Sequence, residues 1–132
     1  MTQSALIALI TTCVSSMQGD HFSGDASNRP VMVGYQNTCA SAAADLAKRR
    51  TLPNNEYKRR ELLAVVLDRE VLISYAGLND AKTALPAAKS ELRNLGELLK
   101  IATDQNDISA FEAQAELVGG EIQVLSAALK HR

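Results

Sequence analysis

Aromatic residues are scarce in this sequence of 132 residues. There is no tryptophan, and phenylalanine and tyrosine together contribute 4% of the chain. Alanine and leucine dominate instead, which is typical of closely packed helices rather than of a β-sandwich or barrel. A hydrophobic content of 46% is enough for one core at this length. The composition therefore predicts an all-α fold of a single domain, 1–132.

Net charge and cysteine are also low. A net charge of −1 excludes a global field that would draw the whole chain to nucleic acid or to a membrane. The two cysteines, Cys13 and Cys39, show no CxxC spacing and have no histidine at ligand spacing, so zinc and redox chemistry lack support. Both lie on apolar faces of predicted helices. We expect them to be small buried hydrophobic residues, since a disulfide between them would need an oxidising compartment.

Long hydrophobic runs and catalytic motifs are missing as well. The apolar centre Ala5–Ile10 is too short to cross a bilayer and follows no basic segment, so we expect no signal peptide and no membrane span. The expected location is the cytoplasm or a particle assembled inside the cell. No phosphate-binding loop, GxGxxG, HExxH or EF-hand spacing occurs, and His21 and His131 lie beside no recognisable nucleophile. We expect no enzymatic activity, no catalytic residue, no cofactor and no metal site.

The strongest pattern is a pair of heptad runs that mirror each other around a polar break at Thr103–Asp107. Each run forms one apolar stripe on a helix. If the chain folds back at the break, paired residue numbers sum to 210, so that Leu92 meets Val118 and Leu99 meets Phe111. The pattern predicts an antiparallel coiled-coil-like hairpin over about 81–129. Its stripes are Ala81, Leu85, Ala88, Leu92, Leu95, Leu99 and Ala102, and Ile108, Phe111, Ala115, Val118, Ile122, Leu125 and Leu129.

The remainder of the chain predicts two or three further helices, giving a bundle of four to five. Residues 1–30 should form an N-terminal helix and a Gly/Asp/Ser-rich loop over Gln18–Pro30, and 31–132 the bundle. Asn54 or Asn55 should cap the third helix. A break at 77–80 is favoured over one long kinked helix from about 55 to 103, which the heptad phase also permits.

Several helices have apolar faces that a single hairpin cannot cover. The N-terminal helix presents Leu6, Ile10, Cys13 and Met17 at helical spacing. We expect this face to be an interaction surface, and the segment 1–30 is a candidate arm toward a partner. The sequence leaves open whether the first helix packs on its own chain or on another.

The last helix contains adjacent glycines, Gly119 and Gly120, which cost about 2 kcal/mol relative to alanine in a helix interior. We expect them to allow close approach of a neighbouring helix; a kink or a hinge are the alternatives. A second apolar stripe on this helix predicts at least two neighbours. It consists of Ala110, Ala113, Leu117, Val124 and Ala127.

Basic residues cluster between the second and third predicted helices, where residues 48–60 contain six cations and Glu56 as the single acid. We call these six residues the basic corner. It could be a solvated face, a docking site for an acidic protein or a contact for the nucleic-acid backbone. We expect it to be exposed and to serve interaction more than stability. Its members are Lys48, Arg49, Arg50, Lys58, Arg59 and Arg60.

The combined pattern favours a non-enzymatic structural, assembly or adaptor protein that acts through helix–helix contacts. Its partner would be a second copy of itself or a larger assembly, such as a phage particle or another macromolecular complex. The suggestion of a phage particle or another large complex rests only on analogy with the architecture of other small helical proteins. The alternative is a small regulatory or nucleic-acid-binding protein that uses the basic corner, with a recognition helix at residues 55–67.

Overall fold

The structure is a computed structural model that describes the backbone of residues 1–21 and 29–130. Side chains are described over the same ranges except 16–21, 29–37, 68, 71–72 and 74–78. Within these ranges the chain forms five α-helices and no strand, which confirms the all-α bundle. The helices are α1 (Gln3–His21), α2 (Arg29–Lys48), α3 (Glu56–Ala76), α4 (Ala81–Ile101) and α5 (Gln105–Lys130), with a 3₁₀ turn at Gly77–Asp80.

Short polar side chains start three of the helices by accepting hydrogen bonds from backbone N–H groups that lack partners within the helix. Thr2 Oγ1 accepts from the N–H of Ala5 at 3.1 Å. Asn55 Oδ1 accepts from Tyr57 N at 2.8 Å, which confirms the predicted cap of α3. Asp104 begins α5 in the same way, since its Oδ1 accepts from the N–H groups of Asn106 and Asp107.

The α4–α5 hairpin is confirmed, with the two helices packed closely along their length. No member of either predicted stripe is exposed. Six members are fully buried, namely Ala81, Ala88, Leu95, Phe111, Val118 and Leu125. Six others pack against the core from partly buried positions, namely Leu85, Leu92, Leu99, Ala115, Ile122 and Leu129. The individual pairs that sum to 210 stay a prediction.

A second buried face of α4 turns toward the rest of the bundle. Ala84, Glu91 and Leu98 are buried on α4 in addition to the predicted stripe. Because α4 also contacts α2 and α3, it joins α5 to these two helices. Leu46 and Leu62 complete this part of the core with no exposed surface.

Two predicted boundaries are resolved by the structure. The 3₁₀ turn at Gly77–Asp80 separates α3 from α4, so the break at 77–80 is confirmed and the single kinked helix is wrong. The predicted loop over Gln18–Pro30 was too long, because α1 continues to His21 and α2 begins at Arg29. Residues 22–28 and His131 lie outside the described residues.

The first helix packs on its own chain. Leu6, Ile10 and Cys13 are buried against the core, and α1 contacts both α2 and α3. The expectation that this face reaches outward is therefore corrected for these three residues, because the apolar surface of α2 and α3 already covers them; the side chain of Met17 lies outside the described residues. No helix within the described ranges is both long and apolar enough to cross a membrane.

The two cysteines form a disulfide between α1 and α2, which corrects the expectation that they are separate buried thiols. Cys13 and Cys39 are bonded, with their Cα atoms 6.1 Å apart. Both remain within the hydrophobic core. The residue type was therefore correctly placed in the interior, but its covalent state was not predicted.

Candidate interaction surfaces

The basic corner is built where α2 ends and α3 begins. Thr51 N donates to Leu46 O and Arg50 N donates to Ala47 O, both at 3.0 Å, which is the Schellman pattern that closes a helix C-terminus. Arg50 stands at the position that usually holds glycine and has a φ of 51°. The chain reverses there, so the cations at the end of α2 and the start of α3 lie at the same end of the bundle.

Arg59 is the least exposed of the cations in the corner whose ion pairs are resolved. Its side chain is 15% exposed and binds Asp107, itself 5% exposed, while Asp104 lies 3.9 Å away. Arg59 Nη1 also donates to the backbone carbonyls of Pro53 and Asn54. These four contacts hold the guanidinium of Arg59, which joins the start of α3 to the start of α5.

A second network joins α1 to α3. Lys58 Nζ lies 2.7 Å from Thr11 Oγ1 and 3.1 Å from Glu61 Oε1. The Thr11 hydroxyl in turn donates to Glu61 at 2.9 Å, so the three side chains form a closed triangle. Because Glu61 is buried, these two donors satisfy a carboxylate that would otherwise be costly to bury.

Three exposed members of the corner, Arg49, Arg50 and Arg60, are paired as well. Arg50 Nε lies 3.2 Å from Glu97 of α4, which also binds Lys100 at 3.1 Å. The hydrogen bond from Lys100 and its charge, together with Arg50, lower the pKa of Glu97 below its usual value. Such solvent-accessible pairs contribute little to stability.

The remaining exposed pairs lie within single helices. Arg49 binds Asp45 at 3.2 Å, and Arg60 binds Glu56 at 3.5 Å, each four residues apart in sequence. Arg60 also lies 3.9 Å from Asp107. Lys48 is exposed at the end of α2.

The basic corner is therefore not the uncompensated cationic surface that the sequence predicts. Lys48, Arg49, Arg50 and Arg60 are exposed as expected. Lys58 is half-buried beside Glu61 and Arg59 is mostly buried beside Asp107, so the expected exposure is corrected for these two residues. The local excess of positive charge is offset by acids from elsewhere in the chain, which a count over residues 48–60 misses. These acids are Asp45, Glu61, Glu97, Asp104 and Asp107.

A different surface remains apolar and open to solvent, on the side of α5 away from its core stripe. Leu117 is 62% exposed and Val124 is 53% exposed. Ala113, Gly120 and Ala127 are exposed on the same side, so the five residues repeat at intervals of four and three. This is the spacing of a coiled-coil seam. We call these five residues the α5 outer seam.

The glycine pair does not mark close packing within the chain. A Cβ atom placed at Gly119 or Gly120 would meet nothing within 4 Å among the described residues, and the same is true of Gly96 in α4. The expectation that these glycines allow close approach of a neighbouring helix is therefore wrong within the described residues. Gly120 instead lies open at the centre of the α5 outer seam.

A cavity of about 490 Å³ opens between α2, α3 and α4. Small side chains of α2, including Ala40 and Ala44, form one wall and leave the space, while Leu95 and Leu98 contribute an apolar part of another. Glu91 also lines it, is 6% exposed, and accepts no hydrogen bond on either carboxyl oxygen from the described residues. Burial, followed by the nearby charge of Glu70, raises the pKa of Glu91 to about 8. The sequence analysis did not identify this residue, because a glutamate between leucine positions of a heptad is ordinarily solvated.

Neither metal ligation nor similarity assigns a chemistry to these surfaces. Among the described residues, His, Cys, Asp and Glu side chains form no group of three or more suited to a metal ion. Comparisons with known proteins find no family model, no curated protein and no solved structure that matches this chain. The surfaces are therefore interpreted from their own geometry.

Proposed function

We propose that this chain is a non-enzymatic assembly or adaptor module that acts through helix–helix contacts, with the α5 outer seam as its contact surface. The observation that supports the proposal is the exposure of Leu117 and Val124 on either side of Gly120. Apolar residues that face water contribute little to the stability of a monomer, and their heptad spacing suits a helix–helix contact. A second helix packed on them would bury both, and Gly120 would let the two backbones approach closely.

The proposed partner is a second copy of the chain. Glu116 borders the seam on one side and Glu121 on the other. A parallel pair of copies would set these two acids against each other, whereas an antiparallel pair avoids that contact. We therefore expect an antiparallel pair of α5 helices. Membership of a larger particle, such as a virion, is a further step of this proposal that rests on architecture alone.

Native mass measured over a range of protein concentrations tests this proposal. We expect the parent chain to self-associate, and the double variant Leu117→Gln, Val124→Gln to stay monomeric with its stability changed by no more than about 0.5 kcal/mol. The matched control is Tyr57→Gln, Leu67→Gln, which removes two exposed hydrophobic residues from α3. A parent chain that is monomeric at every concentration, or a control that dissociates as fully as the α5 variant, would reject the α5 outer seam.

The alternative function, contact of the basic corner with nucleic acid or an acidic protein, has weaker support. Arg49, Arg50, Lys58, Arg59 and Arg60 all lie within 4 Å of carboxylates of the same chain. A polyanion would have to displace these partners. Salt-dependent binding to DNA or RNA would favour this alternative.

The disulfide bears on the expected cytoplasmic location. The cytosol keeps most thiols reduced, so a formed bond between Cys13 and Cys39 is unusual there. We propose that the chain acts where this bond is maintained. Thiol labelling of the protein taken from its native source, with and without prior reduction, distinguishes a reducing compartment from one that maintains the disulfide.

A further inference from the structure

The cavity between α2, α3 and α4 combines two features of a ligand site. It is open to solvent on one side, where the exposed residues Ser41 and Pro86 line it, and its volume of about 490 Å³ lies within the range of small-molecule sites. It also borders a carboxyl group that is nearly inaccessible to solvent and has no hydrogen-bond donor among the described residues. Leaving such a group unsatisfied costs free energy that a bound donor would recover.

The walls determine what kind of molecule fits. Alanine and valine side chains from α2 and α3, with Leu95 and Leu98 of α4, suit a hydrocarbon body. Ser41, Ser90 and Asn94 add neutral polar groups at the lining. Arg69 of α3 also lines the cavity, and Glu70 of α3 lies near Glu91 without lining it. When Glu91 is ionised, these three groups together carry two negative charges and one positive charge.

We propose that this cavity binds a small primary amine in its ammonium form, with the Glu91 carboxylate as counter-ion and the apolar walls around its hydrocarbon part. An ammonium group supplies three donors to the two carboxyl oxygens that lack them. A neutral ligand would leave the charge of an ionised Glu91 unpaired, and an anion would meet it at close range. The inference is independent of the α5 outer seam, since none of the described residues that line the cavity belongs to α5.

Binding should be linked to proton release. The raised pKa of Glu91 means that its carboxyl group is mostly protonated at pH 7, so the arriving ammonium displaces a proton to solvent. Alkylamines stay protonated to about pH 10, as lysine does. The affinity should therefore rise about tenfold between pH 7 and pH 9, because the ionisation of Glu91 no longer opposes binding at the higher value. Arg69 stays charged over this interval. The described lining residues of α2 are alanines and Ser41, which do not titrate.

The test is a titration of the full chain with cyclohexylamine, and with cyclohexanol as a neutral probe of nearly the same shape, followed by amide chemical shifts in NMR. We expect a dissociation constant for the amine of about 1 mM or tighter at pH 9. The largest shifts should occur at Ala87, Ser90 and Asn94. The variant Glu91→Gln should weaken the amine at least tenfold while leaving the weaker binding of cyclohexanol unchanged. The control Glu112→Gln, which alters an exposed acid on α5, should bind as the parent does.

A second variant keeps the test decisive if Glu91→Gln disturbs the fold. Ala44→Leu fills part of the cavity while retaining the carboxyl group, and it should reduce the binding of both probes. Equal affinities for amine and alcohol, an amine affinity unchanged in Glu91→Gln, or shifts that map outside the cavity would each overturn the proposal. Absence of amine binding in a correctly folded parent chain would overturn it as well.

Discussion

Burial controls the protonation of Glu91 and, through it, the pH dependence of stability. The pKa is raised from 4.5 to about 8 in the folded chain, first by burial and then by Glu70. The folded state therefore keeps a proton that the unfolded state has already released between these two values. The contribution of this group is fully present below pH 4.5 and is lost as pH rises toward 8.

We predict that Glu91→Gln removes this loss. The free energy of unfolding of the parent should fall by roughly 3–5 kcal/mol more than that of the variant between pH 4.5 and pH 8. Urea unfolding at several pH values measures the difference, and Glu112→Gln serves as the exposed control. Parallel stability curves for parent and Glu91→Gln would show that the carboxyl group is ionised at little cost in the folded chain.

Arg50 shows why one residue of the basic corner could not be interpreted from its charge. A residue with a side chain in the left-handed region costs roughly 1–2 kcal/mol, and glycine usually takes this position at the end of a helix. The ion pair with Glu97 is exposed, so it offsets little of this cost. Backbone conformation at a helix end is fixed by the following turn, so a run of three cations gives no sign of which one adopts a positive φ.

At the scale of elements, α5 has two apolar faces, and only one of them is covered by the described residues. Its core stripe packs on α4, while its outer seam has no neighbour among the described residues. Gly120 belongs to the outer seam, where an added Cβ atom would meet nothing within 4 Å among the described residues. The heptad spacing predicted both stripes equally well, because periodicity identifies an apolar face but not the molecule that covers it.

We predict that Gly119→Ala and Gly120→Ala each stabilise the monomer by about 0.5–1 kcal/mol, since alanine has the higher helix propensity and the added methyl group meets no atom. Gly96→Ala in α4 is the matched control and should stabilise similarly. Gly120→Ala alone should also weaken self-association, because the methyl group would occupy the centre of the α5 outer seam. Thermal unfolding at low concentration and native mass at high concentration separate the two effects. Destabilised monomers of Gly119→Ala or Gly120→Ala would indicate a close contact in cis instead.

The α1–α2 pair shows what pattern reasoning omits at this scale. The apolar spacing correctly predicted that Cys13 lies on the buried face of the first helix. The partner of the thiol depends on the separation of two Cα atoms, 6.1 Å here, which follows from the packing of α1 on α2 and not from either sequence segment. The bond closes a segment that includes the end of α1 and the start of α2.

At the scale of the whole molecule, the all-α class, the five helices and the hairpin followed from local patterns. Helical periodicity, caps such as Asn55 and breaks such as Gly77–Asp80 each act over a few residues, so they can be identified from sequence. Contacts between distant segments could not be identified in this way. The pairing of Arg59 with Asp107 and the cavity beside Glu91 both depend on how the hairpin sits against α2 and α3.

The long-range contact of Arg59 with Asp107 changes the expected behaviour of the basic corner. The sequence favours an interaction surface with little effect on stability, whereas Arg59 and Asp107 form a mostly buried pair between α3 and α5. Removing one charge from such a pair leaves the other poorly solvated and without its partner. The corner therefore contains two cations that bind buried carboxylates, Lys58 and Arg59, beside four exposed ones.

We predict that Asp107→Asn destabilises the chain by about 2–4 kcal/mol, since it leaves the Arg59 guanidinium without its main counter-ion. The control Glu56→Gln breaks the exposed pair with Arg60 and should cost no more than about 0.5 kcal/mol. Urea unfolding of both variants measures these values. Added salt should change the stability of the parent only slightly, because the buried pair is poorly screened. Equal, small losses of stability in Asp107→Asn and Glu56→Gln would mean that Asp104 replaces Asp107 at the guanidinium. The double variant Asp104→Asn, Asp107→Asn would then lose more stability than Asp107→Asn alone.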